Sequence, residues 1–369
     1  MRIALVCPYD WSARGGVQVH VGGLAGELRE RGHSVTILAP ASARVDDDAV
    51  RVVGSPVQVP YNGSIAPIDP RPWRAAEVRR ALRSVGPDVV HAHEPLAPNT
   101  SMWATLTADA PVVGTFHSSA DRALLYDLAA PLLRRVARRL SARIAVSRRA
   151  ADFARARVGG DFVVLPNGID AAAFARAAPA DLGPGRKLLF VGRLHPRKGF
   201  PVAVDAFRTL AAAHEDLRLV VVGAGPEVVA LETLPPAVRD RVTLLGAVAN
   251  PALPTIHRAC DLYVAPSTGG ESFGVVLIES MAAGLPVVAT RIPGYVEVVE
   301  DGVTGILVPP NDADAVAGAC ERILADPSLA GRLGAAAAER ARRYDWGVVA
   351  GQVEAVYASV LRTEPPSVR

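Results

Sequence analysis

The fold is decided by residues 1–40, MRIALVCPYDWSARGGVQVHVGGLAGELRERGHSVTILAP. A short apolar run, Ile3 to Val6, is followed by a glycine-containing loop, a helical pattern from Val17 to Arg31 and a second apolar run, Val35 to Leu38. This order predicts a strand, loop, helix, strand unit. Because the apolar runs are continuous rather than alternating, the strands are predicted to be parallel and buried on both faces.

The same alternation continues through the chain, with one break. The stretch Ala171 to Gly185 is rich in alanine, proline and glycine and is interpreted as a linker. The pattern therefore predicts two doubly wound, Rossmann-like α/β domains in series, residues 1–170 and 171–348. The further strand candidates are 88–93, 112–117, 143–146 and 162–165 before the linker, and 188–191, 219–222, 242–245, 262–265, 287–289 and 306–308 after it.

Length and composition limit the class of protein. The 369 residues suit two or three domains, and 50% hydrophobic with 21% charged residues excludes wholesale disorder. A net charge of +3 gives no reason to expect nucleic-acid binding. The three cysteines lack metal-type spacing, and no apolar run approaches the roughly 18 residues that cross a bilayer. We expect a cytoplasmic chain with free thiols.

Two loops predict anion binding. Gly15 and Gly16 stand directly before a predicted helix, whose first amides attract negative charge, although glycine pairs are also common in ordinary turns. The second loop, 192–199, follows a strand and carries three cations, Arg193, Arg197 and Lys198. Three cations in one loop favour a diphosphate-binding site over the alternative, a solvated basic turn.

A third cluster, STGGESFG at residues 267–274, precedes an apolar helical pattern that contains Glu279. Glu271 and Glu279 would share one helix face if Glu271 stood near the start of that helix. The backbone amides of Ser272, Phe273 and Gly274 would then bind sugar hydroxyls or phosphate. Glu279 needs a partner in its apolar stretch, and a ribose diol would serve, the alternative being a buried structural carboxylate.

Histidines end two of the predicted strands. His117 follows Thr115 and Phe116 and is the best candidate for a site role. His91 and His93 point to one face of a strand, and a packed, hydrogen-bonded pair is favoured over metal ligation. The stretch Gly223 to Pro226 lacks the third glycine of a dinucleotide fingerprint, which argues against a nicotinamide enzyme.

Together these motifs resemble the retaining GT-B glycosyltransferases of family 4. The likeness is greatest to the GDP-mannose-dependent phosphatidylinositol mannosyltransferases of actinobacteria and covers nearly the whole chain. It is carried by VCPY (6–9), GGVQ (15–18), PYNGS (60–64), HEP (93–95), TFH (115–117), PNG (166–168), GR (192–193), PRKG (196–199), GGESFG (269–274) and YDW (344–346).

The resemblance implies a role for each matching residue. Gly16, Arg193 and Lys198 would hold the donor diphosphate, Glu279 the ribose and Glu271 the sugar hydroxyls, with His117 beside the anomeric carbon. The catalytic set is thus His117, Arg193, Lys198 and Glu271. No metal or further cofactor is implied, since the leaving diphosphate takes the acceptor proton, and the last helix, 349–369, would cross back to the first domain. The acceptor pocket for inositol would be shaped by Tyr9, Gln18, Tyr61, Asn62 and Ser64.

Basic residues next to that pocket suggest a membrane surface. They lie at spacings of an amphipathic helix together with Trp73, so we expect peripheral binding to the inner face of the cell membrane, although a solvated face is the alternative. The arginines are Arg71, Arg74, Arg79, Arg80 and Arg83.

Other functions stay open. Pro67 stands where the lipid mannosyltransferases have a basic residue, which leaves another lipid or a soluble polyol as acceptor. A transferase that uses UDP-glucose or UDP-N-acetylglucosamine keeps the same motifs. A non-catalytic sugar-nucleotide-binding paralogue is disfavoured by the intact Arg193, Lys198, Glu271 and Glu279.

Overall fold

A computed structural model describes residues 1–13, 15–61, 64–118 and 127–362. The chain forms two compact units. The first unit combines residues 1–168 with the C-terminal segment from residue 346, and the second unit is the continuous stretch 169–345. The chain leaves the first unit two residues before the boundary expected from sequence and returns three residues before the expected last helix.

The first unit is built on a seven-stranded parallel sheet in the order β3-β2-β1-β6-β7-β8-β9. Strands β4 and β5 form a separate antiparallel hairpin. The strands are β1 Arg2–Val6, β2 Ser34–Ala39, β3 Val50–Val52, β4 Val57–Tyr61, β5 Ser64–Ile68, β6 Val89–His93, β7 Val112–Phe116, β8 Leu140–Ala145 and β9 Val163–Val164.

Helices cover both faces of this sheet, and the last one comes from the far end of the chain. Its Tyr357 is fully buried, and the Tyr357 hydroxyl lies 2.6 Å from Nδ1 of His91. The last helix therefore belongs to the first unit, as the resemblance implied. The helices are α1 Gly16–Glu30, α2 Arg74–Val85, α3 Thr100–Thr107, α4 Ala130–Ala137, α5 Arg148–Val158 and, last in the chain, α14 Trp346–Arg362.

The second unit has a six-stranded parallel sheet in the order β12-β11-β10-β13-β14-β15. Its strands are β10 Lys187–Val191, β11 Arg218–Val222, β12 Val242–Gly246, β13 Leu262–Ala265, β14 Val287–Thr290 and β15 Ile306–Val308. Its helices are α6 Ala171–Arg176, α7 Phe200–Ala213, α8 Pro236–Arg239, α9 Leu253–Arg258, α10 Val275–Ala282, α11 Pro293–Val296, α12 Ala313–Ala325 and α13 Pro327–Ala341. Short 3-10 segments span Pro196–Lys198, Pro226–Thr233, Asn250–Ala252 and Arg342–Tyr344.

The stretch interpreted as a linker is partly structured. Helix α6 begins in it because the Asp170 side chain accepts a hydrogen bond from the Ala173 amide at 2.8 Å, and alanine is the strongest helix former. Phe174 of this helix is buried in the core of the second unit. The residues after Arg176 also belong to the second unit, where the Ala180 amide donates to the Thr255 carbonyl and Leu182 packs against the core, so the linker interpretation is wrong. Among the described helices, none is long and apolar enough to cross a membrane.

Parallel pairing determines where ligand-binding loops can lie. Strands β10, β11, β13 and β14 all run in the same direction, so the loops that follow them meet at one edge of the sheet. Such carboxyl-end edges are where doubly wound folds bind ligands. All three second-unit motifs picked out from sequence, at 192–199, 223–226 and 267–274, lie at this edge.

Candidate active site

The loop after β10 is held in a tight shape by its own residues. The His195 side chain accepts a hydrogen bond from the Arg197 amide at 3.3 Å, and the 3-10 turn Pro196–Lys198 ends at Gly199. Gly199 has φ 69°, and a Cβ there would lie 1.9 Å from the carbonyl oxygen of Pro266. This close approach presses the basic loop against the loop after β13, so both loops act as one surface.

Lys198 and Glu271 meet on that surface. Lys198 Nζ lies 2.9 Å from Glu271 Oε1, and Arg197 Nε lies 3.9 Å from the same oxygen. This buried oxygen is paired by charge, and it accepts no hydrogen bond from the described residues. A hydroxyl group could donate a hydrogen bond to it without displacing the lysine.

Arg193 stands at the start of the same loop and is exposed. Its guanidinium forms no ion pair with another residue in the described part of the chain. The five N–H groups of Arg193 are thus available to an anionic ligand, and its role in binding a diphosphate stays a prediction.

Glu271 does not share a helix face with Glu279, which corrects the geometry considered from sequence. Helix α10 begins only at Val275 and is preceded by Gly274 with φ 94°. Glu271, Ser272 and Phe273 therefore lie in the loop, and the first amides of the helix belong to Val275 and the residues after it. The loop is fixed here because a Cβ on Gly294 would lie 2.3 Å from the Glu271 carbonyl oxygen.

Glu279 occupies the second turn of α10 and is partly buried. Its carboxylate accepts no hydrogen bond and forms no ion pair within the described residues. Burial raises its pKa to about 7. A carboxylate without a partner among apolar neighbours is costly unless a ligand completes it, which agrees with the expectation of a hydroxyl pair.

In the first unit, His117 lies just beyond β7 and is nine-tenths buried. Its backbone amide donates to Glu94 Oε1 at 2.8 Å, and its Nε2 lies 2.9 Å from Nδ1 of His93. The ring also forms a hydrogen bond with the Asn167 side chain. Burial and the nearby His20 and His91 rings keep the pKa of His117 well below its usual value, so the imidazole is neutral at physiological pH.

Two buried residues beside His117 escaped the sequence analysis. His20 of α1 lies with its ring centroid 4.9 Å from that of His117. Glu94 has φ 52°, and burial raises its pKa. The signal for His20 was present, because it stands one turn after Gly16 on the face of α1 that also buries Leu24. For Glu94, the only signal in the sequence was its position at the end of a predicted strand.

His91 behaves as the packed residue that was favoured. Its ring nitrogens lie 2.6 Å from the Tyr357 hydroxyl and 2.6 Å from Thr115 Oγ1. Both ring nitrogens are therefore satisfied. His93 differs, because its Nε2 has no partner among the described residues.

Of the residues expected at the acceptor pocket, some lie in the described part of the first unit and others cannot be placed. Tyr9 pairs through its backbone with Ile68, next to Pro67, whose carbonyl accepts from the Asp10 amide at 2.9 Å. The Gln18 side-chain amide donates to the Asp10 and Ala13 carbonyls, so this nitrogen shapes the loop. Gly16 is the first residue of α1, as the anion-site prediction requires. Asn62 lies outside the described residues, as do the side chains of Tyr61 and Ser64.

The arginines expected at a membrane surface lie on or just before α2, and several have acidic partners. Arg71 and Arg74 contact the fully buried Asp69. Arg83 Nε lies 2.9 Å from Asp109 Oδ2, and Arg79 Nη2 lies 3.9 Å from Asp109 Oδ1. Arg80 forms no ion pair within the described residues, its Nε donating to the Ala76 carbonyl. Trp73 is 68% exposed beside them.

Comparison with known proteins gives consistent results over both units. Residues 14–173 match the family described as Glycosyltransferase Family 4, and residues 175–340 match Glycosyl transferases group 1. The chain is 42% identical over 364 residues to the phosphatidyl-myo-inositol mannosyltransferase of Mycolicibacterium smegmatis, across 98% of this chain and 94% of that protein. The enzyme of the same description from Propionibacterium freudenreichii is 37% identical, across 97% and 94%. Among solved structures, a glycosyltransferase from Rickettsia africae superposes with a TM-score of 0.78 at 20% identity, across 98% and 99%.

Proposed function

The chain belongs to the family 4 glycosyltransferases, an enzyme family with the GT-B fold, and from this premise we propose that it transfers mannose from GDP-mannose to phosphatidylinositol with retention at the anomeric carbon. The observation that carries the proposal is the Lys198–Glu271 pair, whose carboxylate oxygen is buried with unused hydrogen-bonding capacity at the ligand-binding edge of the sheet. The acceptor and sugar follow from the relatives' described activity.

The second unit supplies the donor half of the reaction. Arg193 and Lys198 bind the diphosphate, Glu279 accepts hydrogen bonds from the ribose diol, and Glu271 accepts from the sugar hydroxyls, with the loop Ser272–Gly274 completing the pocket. As the bond from the anomeric carbon to the diphosphate oxygen breaks, negative charge grows on the leaving group. Cations already fixed around that charge stabilise the transition state more than the ground state.

The first unit supplies the acceptor half. The acceptor hydroxyl forms the new bond to the anomeric carbon on the face that the diphosphate leaves, and its proton passes to the departing diphosphate. No protein nucleophile is needed. His117 is neutral and held by Glu94 and Asn167, so it contributes a hydrogen bond beside the reacting carbon. Gly16 offers its helix-terminal amide to the diphosphate, and Tyr9, Gln18, Tyr61, Asn62 and Ser64 complete the inositol pocket.

The acceptor lipid places the enzyme at the inner face of the cell membrane as a peripheral protein. Arg79, Arg80 and Arg83 of α2, with exposed Trp73, are the groups that contact anionic headgroups. Arg71 and Arg74 support this surface indirectly, because both are anchored to Asp69. Replacing Arg79, Arg80 and Arg83 by Ser should weaken sedimentation with anionic vesicles, and unchanged sedimentation would exclude this surface.

The direct test is incubation of the purified chain with GDP-mannose and phosphatidylinositol in metal-free buffer, with the anomeric configuration of the product read by NMR. We expect an α-mannosylated lipid. Transfer only from UDP-glucose or UDP-N-acetylglucosamine would refute the donor, and transfer only to a soluble polyol would refute the acceptor.

The chain contains a matched pair of lysines for testing the diphosphate site. Lys198→Ala should lower kcat by about a hundredfold, because removing one charge-assisted donor to a developing charge costs about 3 kcal/mol. Lys187→Ala, at the start of β10, should leave kcat unchanged, since among the described residues the Lys187 ammonium donates only to the Gly185 carbonyl. Equal rates for both variants would show that Lys198 has no part in the chemistry.

A further inference from the structure

Three imidazoles from separate elements of the first unit converge in its interior. His20 comes from α1, His93 from β6 and His117 from the residue after β7, and we refer to them as the histidine cluster. One ring nitrogen from each lies within 4.8 Å of the other two. Their residues are 6%, 0% and 9% exposed. Glycosyl transfer as proposed uses only His117, so the other two need a separate explanation.

Packing alone does not account for the cluster. Nδ1 of His20 and Nε2 of His93 are buried and have no hydrogen-bond partner among the described residues. An unsatisfied buried nitrogen costs roughly 1–3 kcal/mol, whereas a leucine or phenylalanine at either position would cost nothing of this kind. The orphaned His20 nitrogen, beside two further imidazoles, indicates that a ligand completes the set.

The distances suit a metal ion. Nitrogen binds zinc at about 2.0–2.1 Å, so two nitrogens as close as His93 Nδ1 and His117 Nε2, 2.9 Å apart, subtend about 90° at such an ion. A tetrahedral angle needs about 3.4 Å, which a side-chain shift of about half an ångström provides. His20, with its unused nitrogen, packs edge-on against both rings at centroid distances of 5.4 Å and 4.9 Å.

The surroundings prepare the rings for coordination. The Asn167 side chain hydrogen-bonds to the His117 ring, and Nε2 of His117 faces Nδ1 of His93 at 2.9 Å. A metal ion bound by these two nitrogens replaces the proton that they share. Burial lowers the pKa of His20 to about 4 and that of His93 well below its usual value, so all three rings are neutral and able to bind metal at pH 7. Glu94 is occupied by the His117 amide and Ser118.

We propose that the histidine cluster binds one zinc ion, through His20, His93 and His117, with a fourth position open to water. Three neutral imidazoles favour zinc and its transition-metal neighbours over magnesium or calcium, which prefer oxygen ligands. The occupied site sequesters the His117 lone pair. Zinc therefore inhibits glycosyl transfer. This inhibition rests on the proposed role of His117, whereas zinc binding does not depend on that role.

The test uses the full chain stripped of metal and titrated with Zn²⁺ in a calorimeter. We expect one ion per chain, and at least a tenfold weaker affinity for His20→Gln, since one of three ligands is lost. The matched control is His257→Gln. His257 is also a buried histidine with an unpaired Nε2, but it lies in the second unit next to Phe174 and Tyr263 rather than other histidines. This variant should bind zinc as the original chain does.

A second measurement needs no variant. Co²⁺ bound by three imidazoles gives visible absorption that free Co²⁺ lacks, and Zn²⁺ should remove it by competition. Absence of this absorption from the original chain, or equal zinc affinity in a folded His20→Gln variant, would overturn the proposal. Mannosyl transfer is measured separately, in metal-free buffer. If the chain binds zinc but transfers no mannose, the zinc site stands and the proposed function is refuted.

Discussion

Replacing Glu279 by Gln should stabilise the ligand-free protein and lower its affinity for the donor. The carboxylate is partly buried without a partner in the described chain, and burial raises its pKa from 4.5 to about 7. Below pH 4.5 the group is protonated in both folded and unfolded chains. As pH rises, the unfolded chain ionises first, so the free energy of unfolding falls until pH passes 7.

The magnitude follows from that pKa difference. Each pKa unit corresponds to about 1.4 kcal/mol, so ionised Glu279 destabilises the folded state by at most about 3 kcal/mol at pH 8 and by less than about 1 kcal/mol at pH 5. Glutamine has the same shape and carries no charge. Glu279→Gln should therefore be the more stable protein, by an amount that grows from pH 5 to pH 8.

The assay can separate the two units. All four tryptophans, Trp11, Trp73, Trp103 and Trp346, belong to the first unit. Denaturation with urea is followed by far-ultraviolet circular dichroism for the whole chain and by tryptophan fluorescence for the first unit. The exposed Glu232→Gln serves as control and should change neither signal at either pH.

Donor binding should change in the opposite direction. A ribose diol donates stronger hydrogen bonds to a carboxylate than to an amide, by about 1 kcal/mol, so calorimetry should show GDP binding about fivefold weaker. An equal gain in stability at pH 5 and pH 8 would refute the desolvated carboxylate. Unchanged GDP affinity would refute its ribose contact.

Two further predictions concern stability. Gly199→Ala should lower the free energy of unfolding by about 3 kcal/mol or more, because the new Cβ meets the Pro266 carbonyl, whereas Gly302→Ala, at φ 75° with open space around it, should cost only about 1 kcal/mol in urea denaturation. Equal losses would show that the loops do not press together. Tyr357→Phe should cost about 1–3 kcal/mol in the fluorescence-detected transition, because a buried imidazole nitrogen loses its partner. No change there would mean that this hydrogen bond contributes nothing.

The sheet of the second unit and most of the first could be predicted because their strands are continuous apolar runs, whereas the short edge strand β3 and the β4–β5 hairpin were missed. The six strands proposed for the second unit agree with β10 to β15 within one residue at either end. Helix α6 was missed because a run of alanines between prolines and glycines resembles a linker in composition. Only the Asp170 cap and burial of Phe174 reveal it.

The sites could be predicted less completely. Parallel topology brings strand-end loops to one edge of the sheet, but the contact between Lys198 and Glu271 was not predicted. Spacing along the chain failed for Glu271 and Glu279, because Gly274 with its positive φ starts the helix later than the motif suggests. The histidine cluster combines a helix, a strand and the residue after another strand, and no pattern within one segment carries that information.

The placement of α14 has a consequence for the order in which the protein is made. The second unit is one continuous stretch, complete once residue 345 has been synthesised. The first unit begins at residue 1 but requires Tyr357, which contacts a histidine 266 residues away, and Trp346, which fills the space beside Gly23. At about 5–20 residues per second, roughly 10–40 s separate Gly168 from Tyr357 on the ribosome. During that interval the nascent first half displays an unfinished apolar surface, so the half that is synthesised first is the last to become a finished domain.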